Sequence, residues 1–217
     1  MRMTIALAAA GLAGLMGTAG AQDAYVIGVT SALTGPPAST YAPAMDALRI
    51  YLDGVNARGG INGKKINLVI QDDSAEPSKA VANAKKLVSQ DNAILLVNAS
   101  LSSTYAPVVA ESRNSKTPLL FASGVCPKDV YPPADPLQFC TTAYASTYDS
   151  PAALTFDKEQ AKGAPIKIGF SAMAIPLSRG EMEFAAKLAP EMGMTALGVE
   201  VIPPPVSYTH LTLPTKA

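Results

Sequence analysis

Residues 56–86 leave the backbone few choices. Gly59 and Gly60 follow the last apolar residues of a helical pattern, where a left-handed C-cap costs glycine least. Asn62-Gly63 then turns the chain with residues that tolerate positive φ. Ile66, Leu68 and Ile70 point to one face of a strand and Val69 to the other, which predicts a strand largely buried on both faces. Asp72-Asp73 ends that strand in a turning and capping role. Pro77 suits the first position of the next helix, where its missing N–H has no intrahelical partner to lose.

The same alternation runs through the first half of the chain. Strands are expected over residues 25–29, 66–73, 93–97 and 118–122. Helices are expected over residues 42–57, where Met45, Leu48, Leu52 and Val55 recur at helical spacing, and from Pro77 onward, with Val81, Ala84, Leu87 and Val88 inward. A third helix is expected over 106–112. Strands alternating with helices imply a mostly parallel sheet covered on both faces, an α/β fold. Residues 126–140 break the rhythm as a long loop. A second α/β unit follows, with helices at 151–162 and 178–192 and strands at 166–170 and 197–201.

The two ends read differently. Met1-Arg2 is a short basic start, residues 5–16 are apolar over about a dozen positions, and Ala19-Gly20-Ala21 fits a small-residue cleavage site. Residues 1–21 are therefore expected to be a secretory signal peptide. Residues 206–217, after Pro203-Pro204-Pro205, match no pattern that the preceding domain requires. They are expected to be a non-native tail on a truncated protein. The expected organisation is a first lobe over 22–142 and a partial second lobe over 143–205.

Export bears on the two cysteines. Cys126 and Cys140 enclose a proline-rich segment, and in an oxidising compartment that spacing predicts a local disulfide; two free buried thiols are the alternative. Lysine plus arginine equals aspartate plus glutamate at 17 each, which gives no electrostatic footprint for nucleic acid.

Several of these motifs fall in the order found in a known family. Ile27-Gly28-Val29 with Leu33-Thr34-Gly35, then Asn56, Gly59-Gly60-Ile61-Asn62-Gly63, the Asp72-Asp73 corner, Pro77 and the hydroxyl-rich loop at residues 100–104 resemble the periplasmic leucine/isoleucine/valine-binding proteins. The resemblance covers residues 25–201 and is strongest before residue 143. It implies a two-lobe periplasmic binding protein, each lobe a parallel sheet flanked by helices, the second incomplete here. It also implies a monomeric periplasmic carrier that holds an amino acid or small carboxylate ligand between its lobes and delivers it to the membrane permease of an ABC transporter.

Carried over residue by residue, the resemblance matches Ser102 and Ser103 to the serines that hold a ligand carboxylate. Ala122 and Ser123 match the next strand-end contact pair, and Tyr41 falls near a pocket tyrosine. The loop serines could equally cap the following helix, and Tyr41 could pack at a helix start. In the second lobe the match fails: the family's tyrosine before a glycine is replaced by Ile175-Pro176-Leu177-Ser178-Arg179-Gly180.

Rival functions have little to stand on. A serine hydrolase usually needs a histidine base, and the single histidine, His210, lies in the suspect tail. There is no Gly-x-Ser-x-Gly elbow, phosphate-binding glycine loop or metal-ligand cluster, so no cofactor is expected. A ligand-sensing receptor domain of the same fold remains the alternative to a transport protein.

Overall fold

The structure, a computed structural model, describes residues 24–122, 126–127, 130, 135–141 and 145–203. The expected signal peptide and tail lie outside the described residues, as does Ser123.

The first sheet forms from β1 (Tyr25–Ser31), β2 (Ile66–Asp72), β3 (Leu95–Ala99), β4 (Leu119–Phe121) and β5 (Gln138–Cys140). All neighbours are parallel, in the order β2-β1-β3-β4-β5. Helices α1 (Ala38–Ala57), α2 (Pro77–Ser89) and α3 (Tyr105–Ser115) carry the chain between strands. A 3-10 turn, Ser102–Thr104, leads into α3.

Strand alternation sorts the core onto two faces. Leu96, Leu119 and Phe121 pack with Ala80, Ala84 and Leu87 of α2 and with Tyr105, Val108 and Val109 of α3. Val29, Val97 and Ala99 pack with Met45 of α1 on the other side. Gly28 faces α2 closely: a Cβ there would lie 2.9 Å from the Leu87 Cβ and 3.0 Å from the Ala93 Cβ. Glycine lets the helix settle onto the sheet.

The turn before β2 follows its chemistry. Gly59, Gly60, Asn62 and Gly63 all have positive φ. At Gly60 a Cβ would collide with the Lys64 carbonyl. The Asn56 side chain clamps both backbone groups of Ile66, donating to its carbonyl at 2.8 Å and accepting its N–H at 2.7 Å.

Three expectations are corrected. Residues 126–140 are not all loop, because Gln138–Cys140 adds a fifth strand beside β4. The strand over Ile66–Asp72 is an edge strand, and its Leu68, Val69 and Ile70 are half-buried rather than buried on both faces. The helix expected to start at Pro151 starts at Ala145 and carries Pro151 inside it. The cysteines are joined: Cys126 and Cys140 form a disulfide with Cα atoms 5.9 Å apart.

The second unit consists of α4 (Ala145–Gln160), β6 (Lys167–Met173), α5 (Pro176–Glu191) and β7 (Thr195–Ile202). β6 and β7 pair in parallel as a two-stranded sheet. Leu154 of α4, Ala189 of α5 and Met194 make its core, with Ile168, Phe170 and Ala196 packed against them.

Candidate functional site

Parallel strands point their carboxyl ends the same way, and ligands of open α/β sheets bind beyond those ends, where the strand order reverses. Here the reversal lies between β1 and β3. The acidic corner after β2 secures the loops at that place.

Asp72 Oδ1 accepts the N–H groups of Leu33 at 2.9 Å, Thr34 at 3.2 Å and Ser74 at 2.9 Å. Its Oδ2 accepts the Thr34 hydroxyl at 2.5 Å. Burial pushes the Asp72 carboxyl up, but the bonds from Thr34, Ser74 and Leu33 together hold it below its ordinary value.

Asp73 is fully buried. It accepts the hydroxyls of Thr30 at 2.8 Å and Ser100 at 2.7 Å, and the Ala75 N–H at 2.8 Å. Burial dominates there and pushes the carboxyl up, against those three bonds and with help from the neighbouring Asp72 charge. Asn98, also buried, accepts the Ser100 N–H at 3.1 Å. The loop after β3 is thus pinned from beneath by two buried side chains.

Above that loop lies a cavity of about 270 Å³. Tyr41, Ser100, Leu101, Ser102 and Tyr105 line it from the first unit. Met173, Ile175, Leu177, Ser178 and Glu181 line it from the second. The walls are mostly apolar, with hydroxyls and one carboxylate set among them, the usual make-up of a small-molecule site. Ser102 crosses the cleft: its Oγ accepts the Leu177 N–H of α5 at 3.2 Å. Leu177 also packs against the first-lobe core.

The structure divides the residues expected from sequence. Tyr41 and Ser102 line the cavity together. Ser103 does not: its hydroxyl donates to the Ala75 carbonyl at 3.4 Å. Successive residues of a 3-10 turn point about 120° apart, so adjacent serines there cannot share one target. Ala122 is exposed, is absent from the lining, and donates its N–H to the Asn98 carbonyl at 3.0 Å. Neither the 3-10 turn nor α3 has a side-chain cap at its N-cap residue.

A family model described as periplasmic binding protein matches residues 24–210. The chain belongs to the periplasmic binding protein family. Over 82 residues it is 45% identical to an amino acid binding protein of Pseudomonas aeruginosa, a match covering 38% of this chain and 22% of that protein. Over 87 residues it is 32% identical to the leucine-, isoleucine-, valine-, threonine- and alanine-binding protein of the same organism, covering 40% and 23%. A solved substrate-binding periplasmic protein from Ralstonia solanacearum superposes with a TM-score of 0.71 at 21% identity, over 83% of this chain and 50% of that one. The chain thus spans about half the length of that structure.

Members of this family are solute-binding proteins. The periplasmic binding fold also shows what sequence reasoning missed. Met173, Ile175, Leu177, Ser178 and Glu181 supply the second wall. They flank the strand-to-helix turn opened by Pro176, the segment where the resemblance places a tyrosine that this sequence lacks.

Proposed function

We propose that this chain is the extracytoplasmic solute-binding component of an ABC transporter, acting as a monomer in the periplasm after export directed by residues 1–21. It takes an amino acid or similar small carboxylate between its lobes and presents it to a membrane permease. The observation that carries the reading is the cavity lined from both units at the carboxyl ends of their strands, in a chain of the periplasmic binding protein family. The printed names of the Pseudomonas aeruginosa relatives make aliphatic amino acids the first ligands to try.

Calorimetric titration with a panel of aliphatic amino acids and the matching carboxylates tests it. In a protein whose second lobe is completed to the length of its relatives, at least one is expected to bind at about micromolar affinity or better, and no binding across the panel overturns the reading. For the ligand found, Ser102→Ala is expected to cost roughly ten- to a hundredfold in affinity and Ser103→Ala little, since Ser103 turns to Ala75. Equal losses from both variants would count against the assignment of Ser102.

A further inference from the structure

Asp73 reaches neither solvent nor the cavity, yet the loop that lines the cavity is tied to it. Its Oδ1 is a junction, accepting both the Ser100 hydroxyl at 2.7 Å and the Ala75 N–H at 2.8 Å. The Ala75 carbonyl in turn accepts the Ser103 hydroxyl at 3.4 Å. Ser102, which lines the cavity, therefore lies between two serines anchored to the corner at residues 73–75. Ser74 and Ala75 have φ of 49° and 61°, a left-handed conformation that is unfavourable for a residue with a side chain and has to be held from outside. The Asp72 and Asp73 carboxylates hold it by accepting the two N–H groups.

We propose that Asp73 is a positioning residue for ligand binding: ionised, it holds residues 100–103 where Ser102 meets the ligand, and protonated, it loosens them. This rests on the cavity being the ligand site and adds control of that site by a residue outside it. An ionised carboxylate only accepts, and the Thr30 hydroxyl, the Ser100 hydroxyl and the Ala75 N–H all donate to it. A protonated one carries an O–H that needs an acceptor. Thr30 Oγ1 already accepts from Asn83 at 3.2 Å, so it takes that proton only by turning its own away. Ser100 Oγ takes it only by ceasing to donate. Either way a bond is rebuilt, and bonds to a neutral group are roughly half as strong as charge-assisted ones. Few charges face Asp73. Asp72 opposes its ionisation, and Lys79 of α2, paired with Glu76 at 2.8 Å, feels its charge. Residues 26–34 of the first strand and loop and 98–104 bring no titratable side chain, and Tyr105 packs its ring on Phe121. Burial is the largest influence and pushes the Asp73 carboxyl up.

A pH titration of the full chain without ligand tests the role. By NMR, the Asp73 carboxyl carbon and the amides of Leu101 and Ser102 are expected to move along one curve, with a midpoint above 3.8. The amides of Leu33 and Thr34, which Asp72 holds, are expected to move at lower pH. Ser100→Ala removes the tie from Oδ1 to the loop. The Ala75 amide is then expected to keep following Asp73 while those of Leu101 and Ser102 stop. Asp73→Asn, which cannot ionise, is expected to abolish the upper curve, and if it does not fold the Ser100 variant decides alone. Loop amides that follow the Asp72 curve, or that go on following Asp73 in Ser100→Ala, overturn the positioning role. In the protein with its second lobe completed, the affinity of an amino acid that binds is expected to fall roughly tenfold as pH drops through the same midpoint. The two proposals fail separately. Affinity that stays flat across that midpoint sinks the positioning role and leaves the transport reading standing. A loop that titrates with Asp73 in a completed protein that binds no amino acid sinks the transport reading alone.

Discussion

Asp72 and Asp73 adjoin in sequence, yet their surroundings drive them in opposite directions. Asp72 collects hydrogen bonds from Leu33, Thr34 and Ser74 and is held below the ordinary value of 3.8, while burial lifts Asp73 above that same value. The consequences for stability have opposite sign. A carboxyl with a lowered folded value contributes stability that is present above its unfolded value and lost as pH falls through the folded one. One with a raised folded value holds its proton more tightly in the fold, so its contribution declines as pH rises through that value. Asp72→Asn is therefore expected to flatten the part of the acid-side loss of stability that sets in below 3.8. Urea midpoints measured along that acid limb check it. An unchanged slope would mean that the bonds to Leu33, Thr34 and Ser74 are equally strong with the neutral group. The corner was legible in sequence as a turn and cap. Its reach to Thr30 and Ser100 was not, because those partners, one in β1 and one in the loop after β3, lie 43 and 27 residues away.

At the scale of elements, the legible parts are those fixed by local chemistry. Pro77 opens α2, and Gly59, Gly60, Asn62 and Gly63 make the turn before β2, because each solves a backbone problem within a few residues. β5 was hidden for the opposite reason. Gln138, Phe139 and Cys140 carry no apolar alternation, Gln138 is buried and Phe139 half exposed, and the strand exists because β4 offers it an edge. Two ties hold it there. Gln138 Nε2 donates to Ser112 Oγ at 3.1 Å, and Cys140 is bridged to Cys126 across 14 residues. Closing a loop of that size stabilises by about 3 kcal/mol on the chain-entropy account. Replacing both cysteines with serine is expected to lower stability by about that amount, read from urea midpoints, and non-reducing mass spectrometry of exported protein is expected to find no free thiol. Two alkylatable cysteines in the exported chain would remove the basis for the prediction. The cavity's second wall was illegible for a related reason: Ile175, Leu177 and Ser178 form no motif, and only the packing of α5 against the first lobe brings them to Ser102.

Among the described residues the two lobes have separate cores. Leu87, Leu96, Val108 and Phe121 belong to the first lobe, and Leu154, Ala189 and Met194 to the second. The second core is small, and Leu197, Val201 and Ile202 of β7 stand exposed beside it. A small core buries little apolar surface against the entropy of ordering its chain, so this lobe is the weaker one. The lobes are coupled through Leu177, which packs on the first core while its N–H bonds Ser102. The expected outcome is that amide exchange in ligand-free protein shows α4, β6, α5 and β7 opening at lower free energy than β1, β3 and α2. Met194→Ala should lower protection in the second lobe by about 2–5 kcal/mol and leave the first nearly unchanged, and Leu87→Ala should act the other way round. A ligand bound between the lobes should raise the opening free energy of the second lobe towards that of the first, because opening then also means losing the ligand. A single global opening, shifted equally by both substitutions, would show that the Leu177 contact fuses the lobes into one cooperative unit. The cleft would then be a fixed cavity rather than a joint that ligand closes.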